Sequence, residues 1–277
     1  MPAQANLFQV VTFAADPLHG NPAFVLTGTG HASDKALTSA CAMLRTDVVA
    51  VVGEAANGTV PLKFFTKDGP HPGPGHSTLA AAHTVLRGRG APRAVTFHLP
   101  NGDKRLAHVE GDHILVDFPV MPGTKVDRVA ELAAALGARP RETWVAPFGY
   151  VAIFDDAAVV ARMQPDLGKV AGFDRSAVIA TAPGGPAANT AATPGDPAAD
   201  IVIRVFAPNV GLPEDPVCGT AHRIIVPYWA QRLGKKKIHS RQLSPRGGDL
   251  WCEDKGTTIV IGGESSLIID GHIRLPE

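Results

Sequence analysis

The chain has 277 residues, 45% of them hydrophobic, with 26 acidic and 26 basic side chains and a formal net charge of zero. That length suits one large or two modest domains, and that apolar content suits a buried core. The balanced charge gives no electrostatic case for nucleic acid or an acidic membrane surface, and no apolar run approaches the ~18 residues of a membrane span.

The opening residues Met1 to Asn6 lack the basic region of a secretory signal,. Cys41, Cys218 and Cys252 are sparse and show no C-x-x-C spacing, which excludes a zinc or disulfide framework and predicts a reducing cytoplasm,. The scattered histidines form no metal pattern,.

Residues 7–13 and 22–27 read as strands around a turn rich in Asp-Pro and Gly-Asn,. Ser33 or Asp34 caps a helix running to about Leu44, and Val48 to Val52 is a strand,. A strand over Leu62 to Thr66 enters a Pro/Gly turn and then an Ala-rich helix opening at Gly75-His76-Ser77-Thr78. Strands follow at 94–98, 105–109 and 113–118, and Pro119 to Gly123 marks a domain boundary,. Beyond it come a helix over Val126 to Leu136 and strands near 143–146, 150–154 and 176–181. Residues 182–199 form an Ala/Pro/Gly loop too poor in apolar bulk for a core, read as a mobile surface excursion,. A strand and helix fill 201–233, and strands at 238–244, 249–254, 257–262 and 267–274 close the chain. Many strands with few helices predict an α+β protein of two sheets, each curved around a central helix.

Two segments share a plan. Both 62–86 and 204–234 run strand, Pro/Gly turn, small-residue helix start, helix. The first N–H groups of a helix lack internal partners and sit at its positive end, and small residues let an anion approach them. Gly75 and Ser77 in the first segment, and Gly219 and Thr220 in the second, are therefore candidate anion-binding residues. Asp215 and Cys218 stand just before the second helix and His76 inside the first turn of the other, which adds proton-moving groups. The simpler alternative is an ordinary cap by Thr220 or Asp215. A helix start also lowers a thiol's pKa, which would make Cys218 a base or nucleophile, although a small buried thiol also fills space. His83 and His222 lie inside the two helices, and His83 reads as a structural residue.

FAPNVGLPEDPVCGTAHRIIVPYWAQRLGK (206–235) resembles the signature of the PhzF-like family, named for an isomerase of phenazine biosynthesis. DPLHGNPAFVL (16–26), GHSTLAAA (75–82) and SRQLSPRGGDLWCE (240–253) resemble further stretches of that family, in order along nearly the whole chain. The resemblance implies a diaminopimelate-epimerase-like fold: two similar domains, 1–119 and 120–264, each a strongly curved barrel-like sheet around a central helix, with the active site in the cleft between them. The last strand, about 265–277, would return to the first domain. It also implies a homodimer with no cofactor and no metal, acting on a small anionic substrate; the Ala/Gly/Pro-rich composition is associated with organisms that make specialised metabolites, which suggests a role in that biosynthesis. Asp215 and His76 would relay or orient protons.

The family's principal acid–base residue is a glutamate after the first helix. Ungapped matching places Thr46 there, with Asp47 one residue on. A threonine is no general base near neutral pH without an activating partner. Asp47 or Cys218 is then the expected replacement, and on a strand Asp47 would face the other side from position 46. The expected reaction is an isomerisation by proton shift. The alternatives are a lyase, cyclase or hydrolase reaction using Cys218 or Asp215, and a binding protein without catalysis.

Overall fold

The computed structural model describes residues 4–185 and 198–275. Its first elements are β1 (Gln4–Thr12), β2 (Asn21–Thr27), α1 (Asp34–Met43), β3 (Val49–Val52), β4 (Val60–Thr66), β5 (Gly69–His71), α2 (Gly75–Leu86), β6 (Ala94–His98), β7 (Lys104–Glu110) and β8 (His113–Pro119). There follow β9 (Thr124–Val126), α3 (Val129–Leu136), β10 (Glu142–Val145), β11 (Gly149–Ile153), α4 (Ala157–Ala161), α5 (Leu167–Ala171), β12 (Ala177–Pro183) and β13 (Ile201–Phe206). The last are α6 (Gly219–Leu233), β14 (Lys237–Gln242), β15 (Gly248–Asp254), β16 (Thr258–Gly263) and β17 (Ser265–Arg274). They form two compact units: Met1–Asp117 with Gly262–Glu277, and Phe118–Ile261.

In the first unit β1 pairs antiparallel with both β2 and β17, and β2 runs parallel to β3. β3 and β4 are antiparallel, β4 meets β6 in parallel, and β6, β7 and β8 form a meander. Helix α2 packs on β1, β2, β3, β6 and β7. Its small apolar run Leu79 to Ala82 is fully buried, as a helix surrounded by strands requires,. Helix α1 covers a separate core in which Leu37, Ala40 and Cys41 meet Leu26, Val49 and Phe65. The Ser33 hydroxyl caps α1, accepting from the Ala36 N–H at 3.2 Å,.

In the second unit β9, β10 and β11 are antiparallel neighbours, β11 runs parallel to β12, and β12 is antiparallel to β13. β13 runs parallel to β14, which pairs antiparallel with β15. Helix α6 packs against β14 and β15. Its Trp229 is fully buried, and the indole N–H donates to the Thr181 hydroxyl at 3.1 Å. Helix α6 continues through Pro227. Proline there deprives the Arg223 carbonyl of its usual donor four residues on. A second core joins Leu132 and Leu136 of α3 to Val178, Val202 and Phe206 of the sheet.

Two local expectations change. The predicted helix over 126–136 begins at Val129, because Thr124–Val126 is drawn into a strand beside β10. The five-residue helices α4 and α5, capped by Asp156 and Asp166, were not foreseen. Asp47 lies in an exposed bend before β3, outside the strand as expected from the Val48 to Val52 reading. Most of the Ala/Pro/Gly loop, residues 186–197, lies outside the described residues. Among the described residues no helix is long and apolar enough to cross a membrane.

Candidate active site

Helix α2 enters from β5 through Pro72, Gly73 and Pro74. Gly73 sits at φ 102°, and a Cβ there would fall 2.3 Å from the Phe64 ring, so the turn demands glycine on both counts,. Its N–H donates to His71 Nδ1 at 3.0 Å. Pro74 is the N-cap and supplies no side-chain acceptor, so the N–H groups of Gly75, His76 and Ser77 point out of the helix start uncapped,. Thr78 turns its hydroxyl back onto the Pro74 carbonyl at 3.0 Å. The Ser77 hydroxyl is fully buried with no hydrogen-bond partner, and a buried orphan of that kind is uncommon. His76 is half-buried. Burial first, and then the positive charge available to His71, lower its pKa to about 4, so its imidazole is neutral at neutral pH,.

In the second unit the approach to α6 is held by side chains from three directions. Arg204 on β13 grips both oxygens of Glu214, at 2.7 and 2.8 Å, and also donates to the Met163 carbonyl at 2.7 Å. Glu214 is thereby neutralised as a partner of the neighbouring Asp215. Gln242, fully buried on β14, clamps the loop across its middle. Its amide donates to the Asp215 carbonyl at 2.6 Å, and its carbonyl accepts from the Cys218 N–H at 2.8 Å. Ser244 adds a bond to the Pro216 carbonyl at 2.6 Å.

Cys218 is the N-cap of α6, and its side chain makes no cap hydrogen bond. Behind it, His222 contacts the Cys218 carbonyl through Nδ1 and the Ser240 hydroxyl through Nε2, both at 2.8 Å. A carbonyl only accepts, so Nδ1 carries the proton and Nε2 accepts from Ser240. Burial lowers the His222 pKa to about 4 and keeps that tautomer neutral.

The thiol of Cys218 does not follow the expectation drawn from its helix-start position. It is 3% exposed. Burial, then the adjacent Asp215 charge and the hydrogen bond between the two side chains, push its pKa well above the usual thiol range. The N–H groups of Thr220 and Ala221 pull the other way and are outweighed. Cys218 is a neutral thiol that donates to the Asp215 carboxylate, and at neutral pH it is not a thiolate.

Thr46 and Asp47 occupy the tight turn after α1, where Arg45 adopts φ 50°. The Thr46 hydroxyl donates to the Val48 carbonyl at 3.3 Å, and its carbonyl accepts from the Cys41 thiol at 3.2 Å. Asp47 is exposed, and its charge, after burial, raises the Cys41 pKa to about 11. The second unit thus brings Asp215, Cys218, Gly219 and Thr220 together. The first brings Gly75, His76 and Ser77 together and sets Thr46 and Asp47 on a separate turn.

Among the six α-helices of the described residues, α2 and α6 are the two with neither a side-chain cap nor an acidic residue in the first turn. Elsewhere Ser33, Asp156 and Asp166 cap α1, α4 and α5, and Glu131 sits at the start of α3. The uncapped starts are those with a free positive end. Among the described residues no group of three or more His, Cys, Asp and Glu side chains is placed to hold a metal ion.

A family model described as phenazine biosynthesis-like protein (PhzC-PhzF) matches residues 10–271. The chain belongs to the phenazine biosynthesis-like family. An isomerase of Pseudomonas aeruginosa, named as uncharacterized, is 31% identical, the match covering 98% of this chain and 99% of that protein. A crystal structure of a PhzF-family protein from Enterococcus faecalis superposes with a TM-score of 0.88 at 27% identity, covering 98% of this chain and 100% of that one. A hydroxyproline epimerase from Agrobacterium vitis superposes at a TM-score of 0.58 and 12% identity, over 100% of this chain and 95% of that one. That likeness extends to the fold alone. The expected sheet-rich α+β fold of PhzF-like and epimerase-like proteins is the fold observed.

Proposed function

We propose that the protein is an isomerase that moves a proton on a small metabolite bearing a carboxylate, an amine or both, using its own side chains. The observation that carries this reading is the Asp215–Cys218 pair at the uncapped start of α6. The buried Gln242 fixes its backbone and a neutral thiol supports its carboxylate. The Cys218 thiol donates to the Asp215 carboxylate and orients it, and Asp215 is the base that takes the proton from carbon,. His76, neutral at the pH of the reaction, returns or relays it,. Gly75, Ser77, Gly219 and Thr220 hold the substrate anion through backbone N–H groups, the Ser77 hydroxyl adding a donor,. Asp47 is bathed in water and the Thr46 hydroxyl is turned onto its own loop, so neither takes the role of base in this reading.

Incubation in deuterium oxide with a panel of small amino, hydroxy and unsaturated carboxylic acids tests the proposal, carbon-bound exchange being followed by NMR. Exchange that disappears in Asp215→Asn and persists in Cys218→Ala is the expected result. Exchange that survives Asp215→Asn, or tight binding of acids with no exchange in the wild type, overturns it.

A further inference from the structure

The second unit holds a cavity of about 220 Å³ between the later turns of α6 and the sheet. Its lining on α6 begins at Ile224, more than a turn past Gly219 and Thr220, and runs to Tyr228 and Gln231. Trp144 of β10 and Val151 of β11 form the opposite wall. The Trp144 and Tyr228 rings meet edge to face at 5.7 Å and make one aromatic corner,. Among the described residues no aspartate, glutamate, lysine or arginine lines the cavity. Gly123 completes it. Unlike Gly73, Gly123 has no positive φ, and a Cβ there would make ordinary contacts, 3.6 Å from the Ile224 side chain and 3.8 Å from the Trp144 ring. Backbone geometry therefore does not demand glycine here; the missing side chain leaves the space between Ile224 and Trp144 open, as suits a ligand lying close to the chain. The buried Trp144 indole N–H makes no hydrogen bond. The Glu142 carboxylate is near enough to feel it, but is already engaged by Tyr228 and Lys125.

We propose that this cavity binds a neutral, planar aromatic molecule of two fused rings that carries a hydrogen-bond acceptor for the Trp144 N–H. Size sets the number of rings. An apolar protein cavity of about 150 Å³ takes up benzene, so this one holds about nine or ten non-hydrogen atoms. The uncharged lining sets the charge, because an ionised carboxylate or ammonium would lose its water there and gain no counter-ion. That separates this ligand from the anion assigned to the helix starts. The unpaired indole N–H sets the acceptor, since a buried donor gains by finding one. The inference is independent of the reaction assigned above.

Calorimetric titration of the full-length chain with quinoline, which is neutral at pH 7.5, tests it. One site with a Kd of about 1 mM or tighter is expected. Gly123→Leu fills the space between Ile224 and Trp144, and should weaken quinoline at least tenfold while keeping the far-ultraviolet circular dichroism of the wild type. Val151→Phe fills the cavity from the sheet side and gives the same test if Gly123→Leu does not fold. Trp144→Phe keeps an aromatic wall and removes the donor. It should weaken quinoline about fivefold more than naphthalene, which has the same shape and no acceptor. Absence of binding up to 5 mM quinoline, binding unchanged by filling the cavity, or equal losses of the two ligands in Trp144→Phe overturns the proposal. So does a quinoline affinity that falls as protein concentration rises, the mark of a second copy's side chain occupying the cavity.

Discussion

The Met121 N–H donates to the Arg223 carbonyl at 3.1 Å. Arg223 is the residue whose acceptor Pro227, four positions on, leaves without a donor inside α6. The chain following β8 therefore completes the ladder of the helix, and the Arg223 guanidinium returns a bond to the Pro119 carbonyl at 2.8 Å. An interior proline ordinarily costs about 3 kcal/mol relative to alanine. Here part of that cost is already offset. Pro227→Ala should change stability by about 1 kcal/mol or less in urea titrations, and a gain near the full value would mean that the Met121 bond contributes nothing.

The thiols give a second prediction. All three cysteines are free and buried, and burial raises each thiol's pKa. Native protein at pH 7 to 8 should take up no iodoacetamide over minutes, and three adducts should appear by intact mass after denaturation. Rapid single alkylation at Cys218 in the native state would contradict the neutral-thiol assignment.

Stability should fall in acid over a defined window. His76, His83 and His222 are each lowered from 6.5 to about 4 in the folded chain. Between those values the unfolded chain binds more protons than the folded one, so stability rises with pH from about 4 to 6.5 and levels off above. For the fully buried His222 alone the swing is on the order of 3 kcal/mol,. His222→Gln should flatten the slope of denaturation midpoint against pH across that window; an unchanged slope would remove His222 from the account.

Gln242 offers a test of loop positioning. Gln242→Glu replaces the amide donor with an oxygen facing the Asp215 carbonyl, while still accepting from Cys218 N–H. Two acceptors then face each other in a buried place, at a cost of about 1–3 kcal/mol or more if the new carboxyl is charged. Turnover should fall with KM for the anion changed less than kcat. Gln242→Met, which leaves both backbone groups unpaired, should be destabilising by a similar amount.

Much of this molecule is legible from local chemistry. Ser33 before an amphipathic run marks the start of α1, and the Pro/Gly turn before Gly75 marks the start of α2, since caps and turns are decided within a few residues. Where distant strands intervene, local reading fails. Val126 falls inside the helix predicted from the sequence over 126–136 and pairs as a strand in the fold, because β10 lies beside it. Gln242 carries no local signal at all: its partners are 24 and 27 residues away, and its role exists only once β14 lies under the loop. Cys218 is the sharpest case. The sequence shows its helix-start position, which lowers a thiol's pKa, and hides the burial and the Asp215 contact, which raise it further. The Arg204–Glu214 pair is likewise two charges ten residues apart in sequence, joined through a turn.

The bare starts of α2 and α6 bear on how this enzyme is handled at the bench. On the reading proposed above, donors that no side chain caps are open to whatever oxyanion is most concentrated. Inorganic phosphate or sulfate in a storage or assay buffer then acts as a competitive inhibitor, raising apparent KM in proportion to its concentration and leaving the limiting rate untouched. Substrate screens run in phosphate would miss weak substrates that the same screens in Tris chloride detect.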